Sequence, residues 1–519
     1  MERGIVIVEV SSLGLPEEAE KTLNNQMANL RRGSSEDITT PLYSELSRSD
    51  MLESLWETEV LPCGIEKFDE LEGDEFQMDA SFSLRHPWVD RRDNLAKYWS
   101  QIEFSGNAEI FSKAYNWVRS LIPAHLTPSR FATSYGTMPS DTNLGLPRNS
   151  RKRIYASEYL DRALSIARND WEGEVFPAIE FTRGQPKAGG VTANRDVWGV
   201  DHATTIIGGT IVDPLVTWFQ TNSTNIAWFH PDRVDEVITH ILRNHNGVIC
   251  SIDFSGFDNH ANEFIIDAAY RLLLDVYGSE EEAKLNFLKE QTLSMGIVTP
   301  EGIWTNRRGG IPSGVRETSV LGCFINLLSY AYTAFSLGVT PDVNVIVLGD
   351  DGVWPFPDGV SILEIADLVK EVGLEVNADK SEMSRNSVHF LQRLYLSSYE
   401  IDGLNHGVRS LARTVIHMGR LERQSGLTGP LHSVRWWQQV ENCKYHPRKE
   451  MFYKWYVDGD DLLRELPPSK IVSKAGKSID EVKGLLDLSS YPWRGVDLEN
   501  WKQFEVVQFI ERLRSEHLM

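Results

Sequence analysis

The chain has 519 residues, of which 41% are hydrophobic and 24% charged, and a formal net charge of −22. Such a length exceeds what one compact core accommodates and predicts two to four domains or subdomains of an ordinary soluble globular protein. The acidic balance argues against a protein that coats nucleic acid indiscriminately; four scattered cysteines (Cys63, Cys250, Cys323, Cys443) with no Cys-x-x-Cys pair argue against a zinc site or disulfide framework and fit a reducing, intracellular setting.

The opening MERGIVIVEVSSLG has only a four-residue apolar run before Glu9, which does not read as a signal peptide. Residues 10–50 are polar, predicting an extended or partly helical arm lying over other parts. Helical spacing marks 106–122 and 155–169, while 136–150 (GTMPSDTNLGLPRNS) reads as loop and 181–200 (FTRGQPKAGGVTANRDVWGV) as a loop leading to a strand. Basic residues cluster here: Arg148, Arg151, Lys152 and Arg153 fall within six positions, and Arg183, Lys187 and Arg195 share one Gly-rich segment. Any one cluster, like the pair Arg307–Arg308, also suits a solvated surface, and a local basic channel is compatible with an acidic whole.

The middle of the chain is denser in signals. Val248 to Phe254 reads as a buried strand, followed by a turn and a helix from about Asn259 to Tyr277. GIVTPEGIWTN (296–306) reads as a β-hairpin with Pro-Glu-Gly at its tip, and RRGGIPSG (307–314) as a loop before a long helix. From Thr318 to Pro341 there is no charge, long enough to span a bilayer, but Asn326, Ser329, Tyr330, Thr333 and Ser336 interrupt it, so a buried core helix is expected. VNVIVL (343–348) and GVWPF (352–356) read as paired strands, Ser361–Val372 as an amphipathic helix, and VHFLQRLYL (388–396) as a strand. From about Arg409 the chain reads as mostly helical, with Trp436, Trp437, Trp455, Trp493 and Trp501 as packing anchors. Helices and strands mixed around an antiparallel core give an α+β class.

Asp350 and Asp351 then sit at a hairpin tip, and Asp253 ends another apolar strand. If those strands pair, three carboxylates converge at one sheet edge and repel unless a cation lies between them. Oxygen-only ligands suit Mg²⁺ or Mn²⁺, and a two-ion site of this kind serves phosphoryl transfer. Gly-Asp-Asp on its own is unspecific, since Asp-Gly is also an ordinary hairpin turn.

The ordered set around it is specific. DFSGFD (253–258), SGVRETSVLGCFIN (313–326), GDD (349–351), NADKS (377–381) and FLQR (390–393) resemble, in order, palm motifs A to E of viral RNA-dependent RNA polymerases. TNLGLPRNSRKR (142–153) and RDVWGVD (195–201) resemble the upstream finger motifs of the double-stranded-RNA virus group containing picobirnaviruses and partitiviruses. The resemblance covers about 140–400 and implies a right-hand polymerase: arm and fingers over 1–245, palm over 246–270 and 311–408 with a fingers insertion at 271–310, and a helical thumb and tail over 409–519.

It also implies roles. Asp253 and Asp350 would hold two Mg²⁺ or Mn²⁺ ions with Asp351 assisting, and Lys380 would protonate leaving pyrophosphate. Asp258 would recognise the ribose 2′-hydroxyl, although capping the following helix is open to it too. Ser313 and Thr318 would offer hydroxyls to template and nucleotide, with Gly314 keeping the loop free to follow the template. Gly322 stands where positive-strand enzymes often carry Asn, leaving Asn326, one helical turn on, either as a ribose contact or as buried packing. Arg183, Lys187 and Arg195 would neutralise triphosphate, Arg148, Arg151, Lys152 and Arg153 would grip template, and Phe390–Arg393 would support the primer end.

The implied activity is RNA-directed RNA synthesis from NTPs with release of pyrophosphate, replicating and transcribing a double-stranded RNA genome. The implied partners are single- and double-stranded RNA, NTPs and a viral capsid protein, with no membrane; the implied location is the virion interior or host cytoplasm. Two rivals are a reverse transcriptase, against which Asp258 and the Gly-Asp-Asp form speak, and a non-catalytic scaffold, against which intact Asp253, Asp350, Asp351 and Lys380 speak.

Overall fold

Alternation and apolar runs in the sequence become three sheets in the computed structural model, which describes residues 4–40, 48–138, 142–168, 175–229, 231–422, 429–475 and 498–518. Strands β1 (Val6–Val8), β2 (Ala178–Lys187) and β3 (Val191–Gly199) belong to a five-stranded sheet, and β4 (Val248–Ile252) to a four-stranded one. β5 (Ile297–Thr299) and β6 (Gly302–Thr305) complete the first, in the order β1-β6-β5-β2-β3. β7 (Ile346–Leu348), β8 (Asp351–Phe356) and β9 (Glu382–Ser384) complete the second, in the order β7-β8-β4-β9 and antiparallel throughout. β10 (Ser387–Phe390) and β11 (Arg393–Leu396) form a separate hairpin.

The four-stranded sheet is organised around the helix Thr318–Ser336. It packs on β7 and β8 and against the helices Ala108–Ser120, Glu263–Tyr277 and Ile362–Glu371. Its length and composition would allow a membrane span, but 83% of its most apolar window is buried inside the protein. Its polar residues have work there: Tyr330 Oη donates to Pro355 O at 3.0 Å and accepts from the Asp342 N–H at 2.8 Å, and Ser329 Oγ donates to Ile325 O. It is a core helix, as its polar interruptions predict.

Three elements differ from the expected ones. Residues 181–200 form the long β2–β3 hairpin, turned at Gly189–Gly190, both in the left-handed region. Gly and Pro disguise it: Gly184 is needed because a Cβ there would lie 2.4 Å from Phe82 O, and Pro186 is tolerated because β2 pairs β5 only at Ala178 and Ile179, leaving that stretch an open edge. The helix expected from Asn259 starts at Glu263, because Asn262 stops a short turn (Phe257–His260) and caps the next helix by accepting from the Ile265 N–H at 2.9 Å. Residues 388–396 are two strands, not one: Leu391 and Gln392 take φ of 52° and 61° and make a two-residue reversal with none of the Asn-Gly chemistry that usually signals one.

A second core joins the helices Leu411–Gly419, Gly429–Glu441, Lys449–Gly459, Pro468–Ala475 and Glu505–Ser515. Trp436 and Trp437 are buried in it, Trp437 stacks on Trp501, and Trp455 Nε1 donates to Ser54 Oγ at 2.8 Å; Trp493 lies outside the described residues. The amino-terminal arm is built into both halves. β1 edges the five-stranded sheet, Thr39 bridges Arg420, and the helix Arg48–Glu57 contributes Met51, Leu52 and Leu55 to the C-terminal core.

One buried carboxylate fixes this attachment. Glu72, on the helix Glu66–Phe76, accepts from Ser410 Oγ (2.8 Å) and the N–H groups of Leu411 (2.7 Å) and Ala412 (2.9 Å), filling the N-terminus of Leu411–Gly419, with His446 Nε2 at 3.2 Å. A negative charge at a helix N-terminus with several charge-assisted donors is strongly held. Glu72→Ala should lower the unfolding free energy by about 3 kcal/mol, and Glu72→Gln by less; chemical denaturation of the two variants against the parent measures this.

Candidate active site

Strand register brings the carboxylates together. The last β4–β8 pair is Ile252 with Gly352, so Asp253 follows directly beside Asp351, and the last β7–β8 pair is Leu348 with Asp351. That leaves Gly349–Asp350 as the reversal, with Gly349 at φ 61°. Asp350 and Asp351 are open to solvent and Asp253 is half-buried.

Their fields overlap. Burial raises the pKa of Asp253, Asp350 raises it further, and Lys380 and an Asn377 hydrogen bond oppose the rise. The pKa of Asp351 is raised by partial loss of hydration of its carboxyl at the turn and by the charges of Asp350 and Asp253, against Arg413. Carboxylates so placed hold a proton or take up a cation. Among the described residues no three His, Cys, Asp or Glu side chains form a ready-made ligand cage. The donor set instead fits an ion such as Mg²⁺, which keeps several waters and takes substrate phosphate oxygens beside one or two carboxylates.

The segment after the helix Ile362–Glu371 is tied to Asp253 through the backbone. Asn377 N donates to Asp253 O at 2.8 Å, and Asp253 N donates to Ser381 Oγ at 3.0 Å. This holds the exposed Lys380 where its charge acts on Asp253.

Asp258 faces the five-stranded sheet. Its Oδ2 accepts from Arg195 Nη2 at 2.8 Å; burial pushes its pKa up to about 6, against Arg195 and with Asp350 adding to the rise. Partial loss of hydration opposes the charge on Arg195, but Asp258 and Asp350 outweigh it and hold its pKa above the usual value. Gly256 and Asn262 occupy the two helix starts nearby, so Asp258 caps neither.

Arg183 and Arg195 are cross-strand partners, and Lys187, four residues beyond Arg183 on β2, shares their side of the hairpin. All three are exposed. Arg183 makes a bidentate pair with Glu422, at 2.8 and 2.5 Å, which links the hairpin to the C-terminal half. In the upstream loop, Arg148 pairs with Glu158 at 2.9 Å and lies over Tyr155, Lys152 pairs with Glu18 at 2.7 Å, and Arg151 is exposed. The side chain of Arg153 lies outside the described residues.

The loop before Thr318 is seated on β3. Ser313 Oγ accepts from the Trp198 N–H at 3.3 Å and donates to Asp196 O at 3.5 Å. A Cβ on Gly314 would lie 1.8 Å from Trp198 O, so the close approach admits only glycine. Thr318 Oγ1 donates to Pro312 O (2.8 Å) and Val315 O (2.9 Å), closing the loop on itself. Arg307 is buried beneath, over the Trp198 ring, donating to the carbonyls of Gly309 and Gly310; burial without a carboxylate pushes its pKa down to about 9. Arg308 pairs with Glu263 and Glu290.

Asn326 takes the buried one of its two readings. It is fully buried behind the Gly349–Asp351 turn, and both ends of its amide are engaged there, so it does not face a ribose. Gly322 fits this arrangement: its Cβ would lie 3.2 Å from Gly349 Cα, so a side chain there would press on the turn.

Two arginines, one acting on Asp351 and one beside it, carried no sequence signal. Arg413 acts on Asp351 and pairs with Glu75 at 2.5 Å, residues that meet across more than three hundred positions. Arg409, fully buried, donates to Gln392 Oε1 at 3.0 Å and is pushed down to about 9 by burial and by Arg413 and Arg393.

The sequence pattern of the family described as viral RNA-dependent RNA polymerase matches residues 138–417, more than half of the chain. The chain belongs to this family. It is 26% identical over 493 residues to a potential RNA-dependent RNA polymerase of human picobirnavirus, covering 89% of this chain and 90% of that one. It is 25% identical over 315 residues to the RNA-directed RNA polymerase of Cryptosporidium parvum virus 1, covering 55% of this chain and 58% of that one. The crystal structure of a human picobirnavirus RNA-dependent RNA polymerase matches with a TM-score of 0.82 at 22% identity, over 98% of this chain and all of that one. The protein is thus an RNA-directed RNA polymerase of picobirnavirus- and partitivirus-like kind with a right-hand fold.

The seat of the Ser313–Gly314 loop is open to a direct test. Gly314→Ala should destabilise the polymerase by about 2 kcal/mol and reduce RNA synthesis by more than its loss of folded protein, because relief of the clash displaces the loop from Trp198; thermal unfolding and template-directed incorporation, measured together, check it.

Proposed function

We propose that the polymerase copies RNA by two-metal-ion nucleotidyl transfer at the edge of the four-stranded sheet. The observation that carries this reading is the register that sets Asp253 beside Asp350 and Asp351. Asp253 and Asp350 would hold the ions, with Asp351 assisting; Mg²⁺ or Mn²⁺, when bound there, would supply activation of the 3′-oxygen and charge stabilisation for pyrophosphate. The 3′-hydroxyl loses its proton to solvent as its oxygen bonds to the α-phosphorus of the NTP, the bond from that phosphorus to the bridging oxygen of the β-phosphate breaks, and Lys380 gives a proton to the leaving pyrophosphate. The upward push on Asp351 and Asp253 supports the assignment, since groups that resist sharing negative charge gain most from a divalent ion.

Arg195 and Asp258 hold each other before the nucleotide binds. As it binds, Arg195 turns to the triphosphate with Arg183 and Lys187 beside it, and Asp258 accepts the ribose 2′-hydroxyl. Ser313, Gly314 and Thr318 form the loop that follows the template, and Arg148, Arg151, Lys152 and Arg153 hold its backbone. The palm comprises 246–270 and 311–408 with a fingers insertion at 271–310, the arm and fingers 1–245, and the thumb and tail 409–519, the helix Arg48–Glu57 sharing the thumb core. The genome is double-stranded RNA, transcribed and replicated in association with capsid protein in the virion interior or host cytoplasm. An acidic exterior around a basic path releases product RNA instead of binding it along the flanks.

Asp350→Asn should reduce NMP incorporation on single-stranded RNA by about a thousandfold or more in either Mg²⁺ or Mn²⁺; full activity in this variant would overturn the metal-ligand role of Asp350. Asp258→Asn should lower discrimination of rNTP over dNTP by about tenfold, read as the ratio of kcat/KM values.

A further inference from the structure

We infer that Asn326 is a positioning residue that sets the catalytic turn so that Asp350 and Asp351 present their carboxylates to the metal. The inference rests on the metal-ligand reading of those two residues. Asn326 Nδ2 lies 3.1 Å from Gly349 O, 3.1 Å from Asp350 O and 3.2 Å from Asp351 O, so the two N–H groups of one amide are shared among three consecutive carbonyls of the turn. Its Oδ1 accepts from the indole N–H of Trp354, on β8, at 2.9 Å. The indole can only donate, which fixes the amide orientation: flipped, it would set oxygen against three carbonyls and N–H against N–H.

The neighbours are fitted to this arrangement. Cys323 Sγ, on the same helix, accepts from the Gly349 N–H at 3.1 Å. A Cβ on Gly352 would lie 2.8 Å from Trp354 Nε1 and 3.0 Å from Asn326 Oδ1. The core helix thus bonds the turn through both its N–H and its carbonyl groups. Three carbonyl oxygens drawn inward onto one amide turn their peptide planes together and direct the aspartate side chains away from the helix. The donor also offsets the repulsion among three carbonyl dipoles lying beneath clustered carboxylates. A helix packing residue would need only bulk here; the three-carbonyl bond needs the amide N–H groups.

Asn326→Asp keeps shape and the acceptor for Trp354 but replaces the donor group, and Asn326→Leu removes both. Each should weaken Mn²⁺ binding to the nucleotide-free protein, followed by electron paramagnetic resonance of free Mn²⁺, by about tenfold or more. Each should also lower the maximal incorporation rate by about tenfold or more while the NTP KM stays within about twofold. Unchanged Mn²⁺ affinity in folded Asn326→Asp would overturn the inference, since mere core packing lowers the melting temperature without moving that affinity. Should both variants fail to fold, Trp354→Phe decides: it keeps aromatic bulk and frees the amide, and should weaken Mn²⁺ binding in the same direction by about threefold, whereas parental affinity overturns the inference. Asp350→Asn is the comparator. If it binds Mn²⁺ like the parent, the metal-site reading itself fails; if it is weak while Asn326→Asp is normal, only the role of Asn326 falls.

Discussion

Mutual repulsion among Asp253, Asp350 and Asp351 is the constraint on which the rest of this fold turns. Left free, three carboxylates at one sheet edge would part; here the β4–β8 register, the Asn377–Ser381 bonds to Asp253 and the helix Thr318–Ser336 behind the turn prevent it. Each restraint acts on backbone, leaving the carboxylates solvent-facing and available. The pKa of Asp351 is raised by loss of hydration and, next, by the charges of Asp350 and Asp253 that this proximity enforces. In the proposed reading, a site held in this way is preorganised for a cation that the protein alone would not fully coordinate, leaving the remaining coordination to water and nucleotide phosphate.

The polar interruptions of the core helix take on meaning in this frame. A helix buried against a sheet gains nothing from the amide of Asn326 by hydrophobic transfer, and burying an amide, or the hydroxyl of Tyr330, without partners is unfavourable. Cys323, Asn326 and Tyr330 each bond the β7–β8 hairpin or its approach: Cys323 at Gly349, Asn326 at the turn carbonyls, Tyr330 at Pro355 and Asp342. The spacing of 323, 326 and 330 places them on one helix face. What looks in sequence like a compromised membrane span is therefore a hydrogen-bonding surface cut to one hairpin.

Much of this was legible in the sequence where local pattern governs structure. β4, the β5–β6 and β7–β8 hairpins, the core helix and the convergence of Asp253 with Asp350 follow from apolar runs, turn residues and charge. The β2–β3 hairpin was hidden because its Gly184 answers to Phe82, a hundred residues away, while the Leu391–Gln392 reversal is imposed by packing and not by turn chemistry. Asn326 was open between two roles because face and depth on a helix depend on what packs there, and Gly322 makes sense only once Gly349 lies against it. Arg413 and Glu75 could not be read at all, since their proximity depends on the arm reaching the C-terminal core.

The ion pairs around the site bear on how a chain of net charge −22 handles RNA. Arg195 rests on Asp258, Arg183 on Glu422, Arg148 on Glu158 and Lys152 on Glu18. Exposed pairs of this type contribute little to stability and are screened by salt. In the proposed reading they have another use: each cation is held in a defined direction by a weak carboxylate partner that phosphate displaces at little net cost. The guanidinium or ammonium stays on the RNA path without leaving a bare positive surface, and the freed carboxylate returns to it once the phosphate moves on. Asp258 gains a second task in this exchange, because the moment Arg195 leaves is the moment its own oxygens become available to a ribose hydroxyl. Nucleotide arrival and sugar inspection are then coupled through one ion pair, with no rearrangement of the sheet required.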